Sequence, residues 1–150
     1  MATTVVEPVF VDTNVLIYAQ QAFSPFHAPA TTQLNDLVSA GHLLWISRQV
    51  LREYLAVMSR PGALTAPIAV SALLADVRAF QTQFLVADDG PAVTAHLLNL
   101  LNSIPCAGKQ VHDANIVATM LAHGIAKLLT HNVADFNRYA GLIALLPLVP

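Results

Sequence analysis

Four acidic side chains lie at an expected strand end, within helical stretches or in a turn: Asp12, Glu53, Asp113 and Asp135. Asp12 follows Val9-Phe10-Val11, a β-branched and aromatic run that reads as a buried strand, and precedes a helix beginning near Asn14. There it either caps that helix by accepting from its free N–H groups or offers a carboxylate beyond the strand end. On a helical wheel of Val111–His123, Asp113 falls between Met120 and Val117, inside an apolar arc that also holds Ala114, Ile116 and Leu121. A carboxylate among apolar neighbours is costly unless it is paired, binds a metal, or sits in an exposed first helical turn. Glu53 flanks the arc of Val50, Leu51, Tyr54, Leu55, Val57 and Met58, as a solvated edge residue, an arginine's neighbour or a member of a site. Asp135, just past Leu129-Thr130, reads as a turn or capping residue or as a further carboxylate of the same site.

Gathered carboxylates repel one another, and a bound divalent cation relieves the repulsion. An oxygen-only donor set suits Mg²⁺ or Mn²⁺ rather than Zn²⁺. Such ions polarise a phosphoryl oxygen, activate water and stabilise a leaving oxygen, so the implied chemistry is phosphodiester hydrolysis. Thr13 and Asn14 either hold a water or the scissile phosphate there or merely cap the helix. His112 orients Asp113, touches a nucleic acid, or is structural. Other chemistries lack their residues. The histidines show no His-Glu-x-x-His spacing, and Cys106 has no Cys-His pattern. There is no Gly-x-Ser-x-Gly, glycine-rich phosphate loop, dinucleotide fingerprint or Asp-x-Asp phospho-acceptor pair.

The segments that must position these groups alternate between short apolar runs and longer helical stretches. Strands are expected at Val9–Val11, Leu43–Ile46, Phe84–Val86, Lys127–Thr130 and near Ala144–Leu148. Helices are expected at Asn14–Gln20, Pro29–Ala40, from a Ser47 cap through Met58, Pro67–Gln81, Pro91–Asn102 and Val111–His123. Trp45, within strand two, reads as core. Unbroken apolar strands alternating with helices predict an α/β fold: a three-layer α/β/α sandwich around a central parallel sheet of four to five strands. With strand one central and strand four beside it, Asp12, Asp113 and the Asn132–Asp135 turn converge on the carboxyl edge. Glu53 approaches from a flanking helix.

At 150 residues the length fits one domain over 1–150. Only 11% of residues are charged, less than half the usual share of about 25%. With 55% hydrophobic residues, this composition excludes a disordered chain. No apolar run is long enough for a membrane helix, and Met1–Pro8 lack the basic and apolar regions of a signal peptide. The lone Cys106 fits a reducing compartment, so a cytoplasmic protein is expected. So little charge points to surface buried against a partner, or else to an apolar monomer with an alanine-rich surface. The seven basic residues are scattered in sequence and form no patch until folding gathers them.

The runs Val9-Phe10-Val11-Asp12-Thr13-Asn14-Val15-Leu16, Ser47-Arg48-Gln49-Val50-Leu51-Arg52-Glu53-Tyr54, Val111-His112-Asp113-Ala114 and Leu129-Thr130-His131-Asn132-Val133-Ala134-Asp135-Phe136 together resemble the PIN domain. Among PIN domains, the resemblance is to VapC-type toxins of toxin–antitoxin pairs, in motif order and spacing, over about residues 9–148. It implies a Mg²⁺-dependent endoribonuclease, usually a homodimer, held inactive by a cognate antitoxin. It also implies that Asp12, Glu53 and Asp113 hold the metal. The fourth acidic position departs from the pattern: Asn132 stands there, with Asp135 three residues later. Asn132 then supplies a neutral oxygen or orients a water, and Asp135 contributes through a water or caps a short turn. The competing expectation is a catalytically silent PIN-like module that only binds RNA or protein.

Overall fold

A computed structural model describes residues 6–62 and 68–150 of the chain. Five strands form one parallel sheet: β1 (Val9–Val11), β2 (Leu44–Ser47), β3 (Leu85–Ala87), β4 (Lys127–Thr130) and β5 (Ala144–Pro147). They are ordered β3-β2-β1-β4-β5. Between β1 and β2 run α1 (Thr13–Gln20) and α2 (His27–Ser39); α3 (Arg48–Met58) and α4 (Val70–Gln83) link β2 to β3. The return to the other side of β1 runs through α5 (Pro91–Ser103) and α6 (Gln110–Ala122). The short α7 (Val133–Phe136) and a 3₁₀ turn at Asn137–Tyr139 join β4 to β5.

The order explains the layers. The chain steps from β1 outward to β3, then crosses to β4 and steps outward the other way. Crossovers between parallel strands are right-handed, so the two directions place their helices on opposite faces. Accordingly α1 packs on α2 and α3, α3 packs on α4, and α5 packs on α6. β1 is covered on both sides, and Val9, Phe10 and Val11 are fully buried. Strand one is central and pairs with β4 in the register Phe10↔Leu128 and Val11↔Leu129, as expected. The strand order reverses at the β1–β4 junction, where α/β sheets open a crevice beyond their carboxyl ends.

Element ends moved by one to three residues, for local reasons. The second helix begins at His27 rather than Pro29, because a proline in the first turn has no N–H that the helix would use. Phe84 ends α4, its N–H donating to the Phe80 carbonyl, so β3 starts one residue later than expected. Pro67, the expected start of that helix, lies outside the described residues, as do Met1–Val5 of the N-terminal stretch. His123 caps α6, and Gly124 follows with φ of 69°. This left-handed residue lets the Ile125 N–H reach back to the Met120 carbonyl at 2.9 Å, which turns the chain into β4. Trp45 is half-buried rather than fully in the core; its ring lies by His123, just beyond the last turn of α6.

Candidate active site

The carboxyl ends of β1 and β4 are tied together before any ligand is considered. Asp12 is the N-cap of α1, and its Oδ1 accepts the Thr13 N–H at 2.8 Å. Its Oδ2 accepts the Thr130 hydroxyl at 2.8 Å from the end of β4 and the Asn14 side-chain amide at 3.1 Å. The capping reading and the site reading of Asp12 therefore hold together: one oxygen starts the helix and the other spans the two central strands. Asn14 completes the clasp, its Oδ1 accepting the His131 N–H at 3.2 Å. Both functional groups of the Asn14 amide are thus engaged inside the chain.

Glu53 reaches the same place from α3. Ser47 ends β2 and caps α3, its hydroxyl accepting the Val50 N–H, which fixes where the helix starts and which face meets the core. Val50, Leu51, Tyr54 and Met58 are buried by that face, leaving Glu53 half-buried at its flank. The Thr13 hydroxyl donates to Glu53 Oε2 at 2.7 Å. The Gln49 amide donates to Glu53 Oε1 at 2.8 Å and to the His112 carbonyl of α6, also at 2.8 Å. Gln49 Oε1 accepts from the Asn115 amide at 2.8 Å. With acceptor-only groups on one side of Gln49 and a donor on the other, its amide orientation is determined.

Asp113, in the first turn of α6, lines the same cleft of about 280 Å³ as Asp12, Thr13, Asn14, Glu53 and Asn132. The expectation of a carboxylate on an apolar arc holds: Ala114, Ile116, Val117 and Met120 are buried and Asp113 is half-buried. Asp135 is exposed, in the first turn of α7, and is not among the lining residues of that cleft. Its charge is nevertheless felt at Asp113.

The electrostatics follow from burial. Desolvation pushes the Asp12 carboxyl up to about 6, despite the Thr130 and Thr13 hydrogen bonds that favour its ionised form. The charges of Glu53 and Asp113 add to the rise. Asp113 is also pushed up to about 6, first by desolvation, then by the charges of Asp135 and Glu53, against weaker opposition from His112 and Arg138. Among the described residues the ion pairs are Arg48–Asp88 and Lys127–Glu7, neither of them in the cleft. The acidic groups there face one another without a paired cation.

The structure brings together Asp12, Thr13, Asn14, Glu53, Asp113 and Asn132, and leaves Asp135 at the margin. Three residues in the framework were not singled out from sequence: Gln49, Asn115 and Thr130. Gln49 carried a legible signal, since it lies one helical turn before Glu53 on the same face. Thr130 and Asn115 carried none, because their partners lie 118 and 66 residues away in the chain.

Comparison with known proteins gives the family and the fold. The PIN domain family model matches residues 9–142. The chain is similar to ribonuclease VapC48 of Mycobacterium tuberculosis, 29% identical over 133 residues that cover 87% of this chain and 91% of the relative. In fold it is similar to a chain of VapBC2 from Rickettsia felis, with TM-score 0.68, 20% identity, and 93% and 97% of the two chains covered. It is also similar to a chain of a toxin–antitoxin complex from Klebsiella pneumoniae, with TM-score 0.63, 18% identity, and coverage of 93% and 97%. With that family model spanning four of the five strands and every residue of the cleft, the chain belongs to the PIN domain family.

Proposed function

We propose that this protein is a divalent-metal-dependent endoribonuclease, a VapC-type toxin that uses Mg²⁺ or Mn²⁺ and is silenced by a cognate antitoxin. The observation that carries the reading is the meeting of Asp12, Glu53 and Asp113 in one cleft at the β1–β4 junction. The activity of the Mycobacterium relative, a ribonuclease, supports the substrate class, and the Klebsiella toxin–antitoxin complex supports the partner.

The donor set fits a hard cation: the cleft offers carboxylate, hydroxyl and amide oxygens and no histidine or cysteine. Asp12, Glu53 and Asp113 would hold it, and Asn132, which lines the same cleft, would add a neutral oxygen. When bound, the cation would neutralise the crowded carboxylates and polarise the phosphodiester. The chain's own groups do the remaining work. Thr13 and Gln49 hold the two oxygens of Glu53, while Asn14 and Thr130 hold Asp12. Asp113 accepts no side-chain or backbone hydrogen bond among the described residues, so its carboxylate is uncommitted within the chain.

Cleavage of a defined RNA in Mg²⁺, and its loss in Asp12→Asn and Asp113→Asn proteins with native circular dichroism, tests the reading. Full cleavage in excess EDTA by protein free of contaminating nuclease would overturn it. A second reading, a silent module that binds RNA or protein, draws on one observation: among the described residues no three acidic, histidine or cysteine side chains already stand at ligand spacing. A Mn²⁺ titration separates the two, since only the first requires specific binding lost in Asp113→Asn.

We also propose a homodimer. Phe23 and Leu98 are 68% and 61% exposed, large apolar surface for a chain with so little charge. Sedimentation showing a monomer at micromolar concentration, alone and with a co-expressed antitoxin, would refute this.

A further inference from the structure

Two cavities meet along α3. One is the carboxylate cleft, whose wall also includes Ala56, Val57 and Arg60. The other, of about 240 Å³, is lined by Gln49, Arg52, Glu53, Ala56 and His112. Glu53 and Ala56 border both, so the two cavities form one groove across the flank of α3. Arg52, Ala56 and Arg60 follow one another at intervals of four residues, the spacing that stacks side chains one turn apart on one helix face. α3 ends at Met58; Ser59, with φ of −91° and ψ of −3°, turns the chain. The Arg60 N–H donates to the Val57 carbonyl at 3.3 Å, so Arg60 stands just past the last turn and still lines the carboxylate cleft. Arg52 lines one cavity and Arg60 the other, and Glu53 borders both.

Both arginines are exposed, and among the described residues neither side chain makes an ion pair or a hydrogen bond. Arg48, on the same helix, is by contrast paired with Asp88 at 3.0 Å. Between the two arginines stands alanine, which adds little bulk to the groove floor beside Glu53.

We propose that this row seats the substrate strand: Arg52 and Arg60 each take a backbone phosphate, on opposite sides of the phosphodiester presented to Asp12, Glu53 and Asp113. The proposal rests on the ribonuclease reading and assigns the direction in which RNA crosses the site. A guanidinium binds phosphate oxygens in a bidentate fork, and an uncommitted arginine has no intramolecular pair to break first. An arginine in each cavity, with Glu53 bordering both, leaves the phosphate between them to the carboxylates. Carboxylates in the middle with free cations on both sides suit a chain that is anionic on either side of the reacting bond. An acidic peptide has no phosphodiester to place there.

The test uses the full chain and a short, uncleavable 2′-O-methyl RNA oligonucleotide in Mg²⁺, with binding followed by fluorescence anisotropy across a KCl series. Each phosphate contact to a single strand contributes about 0.7 to the slope of log affinity against log salt. Arg52→Gln and Arg60→Gln should each lower that slope by about 0.7, and together by about 1.4, whatever the oligonucleotide sequence. Arg78→Gln, on α4, should leave the slope native, and circular dichroism checks that all variants fold. Unchanged slopes in both groove variants, while the native protein still cleaves RNA, would overturn the proposal and spare the ribonuclease reading. A native protein that neither cleaves RNA nor binds the oligonucleotide would overturn the reading itself. An acidic peptide that competes for the groove as strongly as the oligonucleotide would overturn the assignment to nucleic acid.

Discussion

The Thr13 hydroxyl and the Glu53 carboxylate, 40 residues apart in the chain, share a 2.7 Å hydrogen bond that joins the start of α1 to the middle of α3. Its consequence is orientation. Glu53 Oε2 is held by Thr13 and Oε1 by Gln49, so a flexible glutamate is aimed before any cation arrives. Thr13→Val keeps the side-chain shape and removes the donor. It should weaken Mn²⁺ binding severalfold with little change in thermal stability, and Thr13→Ser should restore it. Titration calorimetry of the three proteins checks the order, and equal affinities would show that Thr13 does not aim Glu53.

Gln49 sets the distance between the two helices that carry Glu53 and Asp113. Its amide bridges Glu53 and the carbonyl of His112, the residue just before Asp113. Gln49→Met preserves length and burial without the bridge. Cleavage should fall about tenfold or more through kcat rather than KM, the pattern expected when a misaligned group costs on the order of 1–2 kcal/mol in the transition state alone. A variant in which only KM rises would place Gln49 in RNA binding instead.

Stability of the metal-free protein should fall as pH rises from 4 to 6. Burial pushes Asp12 up to about 6, whereas the unfolded chain releases that proton near 3.8. Between these values the folded state binds the extra proton, so raising pH favours unfolding, and the penalty is complete above pH 6. Its size at Asp12 is on the order of 1–3 kcal/mol. Urea unfolding in EDTA at several pH values measures it. Subtracting the Asp12→Asn profile from the native one should leave a decline confined to this window, and a flat difference would contradict the burial argument.

The fourth acidic position separates two roles. Asp135 is exposed outside the cleft, while Asn132 lines it. Asp135→Asn should therefore reduce RNA cleavage less than Asp113→Asn, and Asn132→Asp should strengthen Mg²⁺ binding. Should Asp135→Asn abolish cleavage as fully as Asp12→Asn in a folded protein, the ranking of these positions is wrong.

Much of the architecture could be read directly from local pattern. Val9-Phe10-Val11 and Lys127-Leu128-Leu129-Thr130 are strands at the expected residues, because a short unbroken apolar run has little choice but to lie in a sheet covered on both faces. Asp12 and Asp113 were legible for a related reason: a carboxylate at a strand end or on an apolar arc conflicts with its surroundings, and such conflict is visible in one dimension. Glu53 was legible as a flank and no more. Gln49 and Asn14 are sequence neighbours of the carboxylates they hold, but tertiary structure alone decided that Thr13 would hold Glu53 and that Thr130 would clasp Asp12. Hydrogen bonds between residues 40 to 118 positions apart leave no periodic trace, because their geometry depends on how whole helices dock. The same holds for the arginines. Arg52 and Arg60 are two of seven scattered cations in the sequence, and only the docking of α3 beside the β1–β4 junction put each of them on the wall of a cavity that Glu53 borders.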